Sequence, residues 1–285
     1  MKIAVATFIY PAPGITEYAQ ACLETLASQT HCDFNLFVFN DGYRDVESLL
    51  LLHGPPAQIV ELSGTPADIR RQAIRYLRDS GFDIIIFADI DDLFDINRVA
   101  VAIEMIASGA DVVLNELILF GDGVSNVEWL FRGRLKEQSV LRLQDIREGN
   151  CFGMSNTAVR VSAIPDVVFE PRNVLAFDWF FYTHLLLRGG VARFTGKVAT
   201  YYRQHANNMA AIRDLGEDNL LRGLKIKRMH FDVFDPAYAV ELLETEGKIR
   251  QDKVFQTAYC KAVSAAMRPQ PFWWESIKTF RELGL

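Results

Sequence analysis

Three aspartates, Asp89, Asp91 and Asp92, crowd together shortly after the apolar run Ile84–Phe87. The run is rich in β-branched and aromatic residues, which is typical of a parallel strand buried on both faces. Clustered charge at the end of a buried strand is costly unless the carboxylates are hydrated, paired or bound to a cation. If the backbone stays extended, Asp89 and Asp91 point to the same face and suit Mg²⁺ or Mn²⁺. The pattern therefore predicts a divalent-cation site beyond the carboxyl end of this strand, where open α/β sheets bind ligands.

A helix cap is the alternative explanation for these acids. Asp95 suits that role, because apolar residues continue after it at helical spacing. One cap accounts for only one of the four acids, so Asp89 and Asp91 still call for a charged partner.

Two arginines stand near the start of the preceding predicted helix. Thr65 is its expected N-cap, Pro66 takes the first position and Asp68 completes a capping box. Arg70 and Arg71 follow where the helix dipole disfavours cations. They are either solvated surface residues, or one of them faces an anion such as a diphosphate, which the helix end also attracts.

The second half of the chain offers two further candidates. Asp178 is the single acid of an apolar helical run and stands near its start. It is therefore either an N-cap or a carboxylate that faces a cleft. His205, with Arg203 just before it, follows a predicted strand, and a lone histidine there is either an ordinary surface or core residue or a ligand.

The whole chain has the composition of a globular protein. Of its 285 residues 50% are hydrophobic and 23% are charged, and the net charge of −6 argues against a nucleic-acid partner. The four cysteines show no metal-ligand spacing and no disulfide pattern. We see neither a signal-peptide pattern nor an apolar run long enough to span a bilayer, so the sequence favours a cytoplasmic protein.

Strand and helix patterns alternate along the first 115 residues. Strands are predicted at residues 3–6, 35–39, 59–62, 84–87 and 111–114, with helices between them. This alternation predicts a mostly parallel sheet with right-handed crossovers. Residues 120–155 read as a variable loop region over a cleft, 191–202 as two strands joined by a turn, and the chain from 211 onward as helical.

The aromatic segment 271–274 lies near the end of the helical tail. Its residues are a candidate for a homodimer or peripheral membrane contact. Packing against the protein's own core is the favoured alternative for aromatic residues.

In chain order, the motifs from residue 2 to residue 208 resemble those of the family 2 glycosyltransferases. The apolar run with Asp-x-Asp-Asp is similar to the family's signature. The other matching pieces are Thr7-Phe8, Asn40-Asp41-Gly42, Ile69-Arg70-Arg71, Phe177-Asp178-Trp179, and Tyr202-Arg203-Gln204-His205 followed by Asn208. The chain departs from the family pattern where Ala6, Asn40, Arg71 and Phe177 stand in place of Pro, Asp, Asn and Glu.

The resemblance implies an α/β fold of the GT-A type, a Rossmann-like, mostly parallel sheet flanked by helices. It implies a glycosyltransferase domain over residues 1–208, with a nucleotide-sugar half at 1–115 and an acceptor half at 116–208. Residues 209–285 are expected to form a helical C-terminal extension.

The resemblance also implies the chemistry. A sugar would move, with inversion, from a nucleoside-diphosphate donor, expected to be UDP-linked, to a hydroxyl of a glycan or another acceptor. Asp178 would be the general base. The implied donor-binding residues are Thr7, Phe8, Asn40, Asp41, Arg70, Arg71, Asp89 and Arg203. The implied ligands of Mn²⁺ or Mg²⁺ are Asp91, Asp89 and His205.

Other classes compete for the same motifs. An aspartate-nucleophile phosphatase opens with Asp-x-Asp, but on its first strand and with a Thr where this chain has Leu93. A calcium loop needs Gly where Phe94 stands. A nucleotidyltransferase would carry a Gly-rich phosphate loop near the N-terminus. A non-catalytic nucleotide-sugar-binding or scaffold protein with the same fold stays open, because fold does not dictate function.

Overall fold

A ten-stranded sheet flanked by helices forms the centre of the protein. The computed structural model describes residues 1–124, 128–170, 172–205, 217–267 and 274–285. The strands are β1 (Ile3–Ile9), β2 (Asn35–Asn40), β3 (Ala57–Glu61), β4 (Ile84–Phe87), β5 (Leu93–Phe94), β6 (Val112–Gly121), β7 (Glu128–Trp129), β8 (Val140–Leu141), β9 (Thr157–Arg160) and β10 (Ala192–Gln204). The helices are α1 (Ile15–Ala27), α2 (Val46–His53), α3 (Pro66–Asp79), α4 (Arg98–Ala107), α5 (Phe177–Leu187), α6 (Glu217–Phe234), α7 (Pro236–Gln251) and α8 (Lys253–Ala266).

The strand order places the ends of the chemically interesting strands side by side. The sheet runs β3-β2-β1-β4-β9-β6-β10-β5. Strands β3, β2, β1 and β4 are parallel neighbours, as are β6 and β10. The first four follow the order of a Rossmann-like half, so the alternating pattern predicted this half correctly. Their carboxyl ends share one edge of the sheet, and that edge carries the candidate site.

Two sequence predictions about strands were wrong. Strand β1 extends to Ile9, so Thr7 and Phe8 lie inside it and not in the loop after it. Residues 191–202 do not form a hairpin. They belong to one strand, β10, which pairs in parallel with β6 on both sides of an irregularity between Thr195 and Ala199. The glycine in this stretch thus marks a bulge, which interrupts the ladder without reversing the chain.

The C-terminal helices share a core with the sheet. Buried residues of α6, α7 and α8 belong to the same hydrophobic cluster as those of β1, β4 and α5. The indole of Trp179 in α5 stacks on the imidazole of His230 in α6, with 4.0 Å between the ring centroids. The helical extension is therefore confirmed. The boundary at residue 208 stays a prediction, and residues 206–216 lie outside the described ranges.

The aromatic segment near the C-terminus is described only at its last residue. Trp274 packs against the core next to Gly223 of α6, as the alternative to an exposed contact predicted. Pro271, Phe272 and Trp273 lie outside the described residues. Among the helices that the structure describes, none is both long and apolar enough to cross a membrane.

We expect His230 to make stability depend on acid pH. Burial, followed by the charges of Lys227 and His184, lowers the pKa of His230 from 6.5 to about 3. Below pH 6.5 this histidine is therefore protonated in the unfolded chain but stays neutral in the folded chain. The folding stability consequently falls as the pH drops below 6.5. Between pH 7 and pH 5 the loss should be about 2 kcal/mol. Urea unfolding of wild type and His230→Phe at both pH values measures this loss. An equal change in the free energy of unfolding in both proteins would contradict the assignment to His230.

Candidate functional site

The aspartates after β4 lie on a turn. The N–H of Asp92 donates to the carbonyl of Asp89 over 3.1 Å, which closes a turn around Ile90 and Asp91. The backbone from Asp89 to Asp91 is therefore not extended, so the condition under which both side chains would point to the same face is not met. The three carboxylates still lie close together: burial raises the pKa of Asp92, and the nearby charges of Asp91 and Asp89 raise it further.

Helix capping does not explain these acids. The N-cap of α4 is Asn97, and the carboxylate of Asp95 accepts the N–H of Asn97 in the loop before the helix. The proposal that Asp95 caps this helix was wrong by two positions.

Asp92 ties the aspartate turn to the end of β10. It is fully buried, and its Oδ1 accepts the backbone N–H of Arg203 over 2.8 Å. The Nε of Arg203 donates in turn to the carbonyl of Asp91 over 2.7 Å. The Arg203 guanidinium packs against the rings of Tyr18 and Phe120, 4.5 Å from each ring centroid. Arg203 therefore fastens two chain segments together.

The carboxylate of Asp91 meets His205, the residue that follows β10. Its Oδ2 lies 3.0 Å from Nε2 of His205, and the side chains are 22% and 9% exposed. The imidazole also packs beside the ring of Tyr18, with 5.4 Å between centroids. A carboxylate and an imidazole thus face each other at the carboxyl edge of the sheet and remain within reach of solvent.

The donor set at this pair fits a divalent cation that also binds a substrate. Carboxylate oxygen and imidazole nitrogen are both ligands of Mn²⁺, and Mg²⁺ sites often combine one or two carboxylates with phosphate oxygens. Within the described ranges, no group of three or more acidic, His or Cys side chains is arranged to hold an ion alone. Asp91 and His205 are therefore suited to an ion whose remaining ligands come from a diphosphate.

Asp89 pairs with an arginine of α3. Its Oδ1 accepts from Nη2 of Arg70 over 2.6 Å, and the guanidinium lies over the ring of Phe8, 3.7 Å from the centroid. The other terminal nitrogen of Arg70, Nη1, is buried and has no hydrogen-bond partner among the described residues. A buried, unpaired donor at the edge of this site is suited to receive an anionic ligand.

Arg71 bonds to Asp68 of its own helix and not to the aspartates after β4. It is buried, its Nη1 donates to Asp68 of the first turn of α3, and its guanidinium faces the ring of Phe177. Thr65 caps the helix through the N–H of Asp68, as the sequence predicted. The helix therefore directs only Arg70 toward Asp89.

The ends of β1 and β2 form the next part of the edge. Thr7 is buried, and its hydroxyl has no hydrogen-bond partner in the described part of the chain. The amide of Asn40 donates to the Glu61 carboxylate over 2.9 Å and to the carbonyl of Tyr43, so it holds the loop after β2 in place. Asp41 is half-buried, and its carboxylate makes no hydrogen bond or ion pair with the described residues. The carboxylate of Asp41 is thus available to a ligand, whereas the side chain of Asn40 is occupied by hydrogen bonds within the protein.

Asp178 lies near Arg70 and Asp89 at the start of α5. The N-cap of α5 is Ala176, so Asp178 is the second helical residue and not the cap. Its Oδ1 accepts the N–H of Trp179 over 2.7 Å. Burial raises the pKa of Asp178 to about 6, which the nearby charge of Arg70 partly opposes and that of Asp89 reinforces. A carboxylate with this pKa can accept a proton near neutral pH.

The structure adds residues that the sequence analysis did not place in the site. Asp92, Tyr18 and Phe120 hold Arg203, as described above. Tyr10 follows β1, and burial together with the charges of Asp91 and Asp89 raises the pKa of its phenol. The crowding of three acids pointed to Asp92, whereas nothing in the local pattern of the aromatic residues indicated the site.

Comparisons with known proteins identify the fold and the family. No curated protein matches the sequence significantly. TarS residues 1–349 from S. aureus, solved with UDP-GlcNAc, superposes with a TM-score of 0.61 at 17% identity, covering 93% of this chain and 80% of TarS 1–349. The mannosyltransferase PcManGT from Pyrobaculum calidifontis, solved with GDP-Man and Mn²⁺, gives 0.55 at 15% identity, with 94% and 77% covered. GalNAc-T7, solved with UDP, GalNAc and Mn²⁺, gives 0.56 at 10% identity, with 99% and 56% covered.

These solved structures share the fold of this chain. The model of the family described as "Glycosyl transferase family 2" matches residues 7–164, which is more than half of the 285 residues. The chain therefore belongs to glycosyl transferase family 2, with a GT-A fold.

Proposed function

We propose that this protein transfers a sugar from a nucleoside-diphosphate donor to an acceptor hydroxyl, with metal assistance and with inversion at the sugar carbon. One observation carries the proposal. The Asp91–His205 and Arg70–Asp89 pairs lie at the carboxyl edge of the sheet, and the charges of Arg70 and Asp89 act on Asp178. A cation site, an unpaired arginine donor and a base are the groups that such a displacement needs.

The donor would lie across the ends of β1, β2 and β4. The free carboxylate of Asp41 can accept an N–H of the base, and Asp89 can face the ribose or the metal. The unpaired Nη1 of Arg70 can donate to the diphosphate. Thr7 and Asn40 would support the donor site without facing solvent. Thr7 is buried, and Asn40 holds the loop that carries Asp41 in position. We expect a UDP-linked donor, because TarS and GalNAc-T7 bind UDP or a UDP-sugar in their structures.

Asp91 and His205 would hold Mn²⁺ or Mg²⁺, with Asp89 nearby. When bound, the ion supplies positive charge that stabilises the departing diphosphate. Arg203 would keep both ligands in position, since it binds the Asp91 carbonyl and directly precedes His205.

Asp178 would remove the proton from the acceptor hydroxyl. Its raised pKa places the carboxylate close to the operating pH, where a general base is most effective. Phe177, which replaces an acid of the family pattern, packs against Phe180 and Phe181 and keeps the start of α5 apolar. This departure therefore favours a raised pKa at Asp178.

A donor panel tests the proposed function. Wild-type protein should release nucleoside diphosphate from at least one UDP- or GDP-sugar in the presence of Mn²⁺, and EDTA should stop the release. A protein that binds such a donor tightly but consumes none, with any glycan or simple alcohol acceptor, would instead be a nucleotide-sugar-binding protein.

Arg70 and Arg71 of α3 should respond differently to substitution. Arg70→Ala removes a donor aimed at the site, so nucleoside-diphosphate binding should weaken by about 1.5–3 kcal/mol, the usual contribution of a hydrogen bond to a charged group. Arg71→Ala is the matched control. It should lower the melting temperature, because Arg71 is buried against Asp68 and Phe177, and should leave nucleotide affinity unchanged. Calorimetry with nucleoside diphosphate measures both variants. If Arg70→Ala binds it as tightly as Arg71→Ala does, Arg70 is not part of the site.

A further inference from the structure

The last residue of β6 approaches the end of β10 unusually closely. Gly121 pairs with Gln204 and has φ of +100°, a conformation that favours glycine. A Cβ atom on Gly121 would lie 2.5 Å from the carbonyl oxygen of Gln204, 3.2 Å from its nitrogen and 3.4 Å from Cγ of Arg203. The first two of these atoms belong to the backbone, so rotation of a side chain cannot relieve the contact.

The same strand end also supports the guanidinium of Arg203. The residue before Gly121 is Phe120, whose ring lies 4.5 Å from the guanidinium carbon of Arg203. The residue after it is Asp122, whose N–H donates to the Gln204 carbonyl over 2.9 Å. Three successive residues of β6 and its extension thus fix Arg203 and Gln204 on one side.

The aspartate turn fixes the end of β10 on the other side. Asp92 accepts the N–H of Arg203, and the Asp91 carbonyl accepts its Nε. His205 is the next residue, and its Nε2 lies 3.0 Å from Asp91 Oδ2. The position of His205 relative to Asp91 therefore depends on how closely β10 lies against β6.

We infer that Gly121 and the ring of Phe120 form a seat that positions Arg203 and His205 against Asp91. Neither residue would touch the substrate, so both are positioning residues. A methyl group on Gly121 would push the Gln204 carbonyl away from β6 and carry His205 with it, since contacts below 3.0 Å essentially never occur for a Cβ atom. That this displacement would weaken cation binding rests on the proposed function.

The test compares Gly121→Ala with Gly123→Ala. Gly123 has φ of +71° and no described atom within 4 Å of its added Cβ, so it shares the positive φ without the close contact. Crystal structures of both variants without ligands give the distance between His205 Nε2 and Asp91 Oδ2. We expect a hydrogen-bonded pair in Gly123→Ala and a separated pair in Gly121→Ala. Calorimetry with UDP and Mn²⁺ should show at least a tenfold loss of affinity in Gly121→Ala alone.

An intact hydrogen bond between His205 and Asp91 in ligand-free Gly121→Ala would overturn the inference. This result does not depend on which ligand the protein binds. If Gly121→Ala does not fold, Phe120→Leu supplies the comparison, because it removes one aromatic face from the Arg203 guanidinium, which should then shift and carry the neighbouring His205 away from Asp91. An unchanged pair and unchanged affinity in Phe120→Leu would then overturn it. Failure of wild-type protein to bind any nucleotide with Mn²⁺ would instead contradict the proposed function, and the ligand-free structures would still decide the role of Gly121.

Discussion

Asp178→Asn should lower the rate of sugar transfer by roughly 10²–10⁴, the usual contribution of a general base. Asn has nearly the shape of Asp, and its side-chain oxygen can still accept the N–H of Trp179. It cannot take up a proton at neutral pH. The affinity for the nucleotide should therefore stay within a few-fold of wild type while turnover is lost.

The thermal stability of this variant should not fall. Burial raises the pKa of Asp178 to about 6, so the folded state favours the protonated carboxyl more than the unfolded chain does. The stabilising contribution is complete below the unfolded pKa of 3.8 and is lost as the pH rises through about 6. At pH 7 the charged carboxylate is thus unfavourable to the fold, and the neutral Asn removes that penalty.

The pH profile gives an independent readout of the same residue. A base must be deprotonated to act, so wild-type kcat/KM should rise with pH through about 6 and level off above pH 7.

Asp252→Asn is a suitable control for Asp178→Asn, because Asp252 also accepts backbone N–H groups, at the start of α8. If Asp178→Asn transfers sugar as fast as Asp252→Asn, the base lies elsewhere.

Asp91→Asn should abolish the dependence of nucleotide binding on the metal. The substitution removes the negative charge that faces His205 but keeps the size of the side chain. Changes next to metal ligands typically lower metal affinity by about 10–100-fold, and loss of a ligand charge should exceed that range. Calorimetric titration with UDP or GDP should therefore give a higher nucleotide affinity with Mn²⁺ than with EDTA in wild type. In Asp91→Asn the two affinities should be equal.

Asp95→Asn is the matched control for Asp91→Asn. Asp95 belongs to the same acidic stretch, but its carboxylate accepts the N–H of Asn97 in the loop before α4. This variant should keep the metal effect of wild type. Equal affinities with Mn²⁺ and EDTA in wild type, or an unchanged metal effect in Asp91→Asn, would contradict the assignment of Asp91.

The first half of the fold follows from local sequence patterns. Strand β4 spans Ile84–Phe87 as predicted, because a short β-branched run bounded by polar residues has few alternatives. Helix α3 begins at Pro66 as predicted, because Thr65 and Asp68 form a recognisable cap. The strong periodic signals lie in this parallel half.

The rest of the site depends on contacts that periodicity does not encode. The turn at Asp89 depends on one backbone hydrogen bond, and the bulge in β10 depends on its pairing with β6. His205 meets Asp91 across 114 positions of sequence, and only the strand order brings them together. Sequence spacing alone also could not distinguish Arg70 from Arg71, since both stand in the second turn of α3.

Proton NMR of the running transfer reaction tests the central claim most directly. With wild-type protein, Mn²⁺, a suitable nucleoside-diphosphate sugar and an acceptor, the anomeric signal of the donor should be replaced by that of a glycoside with the opposite configuration. This is the result of a single displacement assisted by Asp178. A glycoside that retains the donor configuration would contradict the mechanism, and the absence of any donor consumption across UDP- and GDP-sugars would contradict the proposed transfer itself.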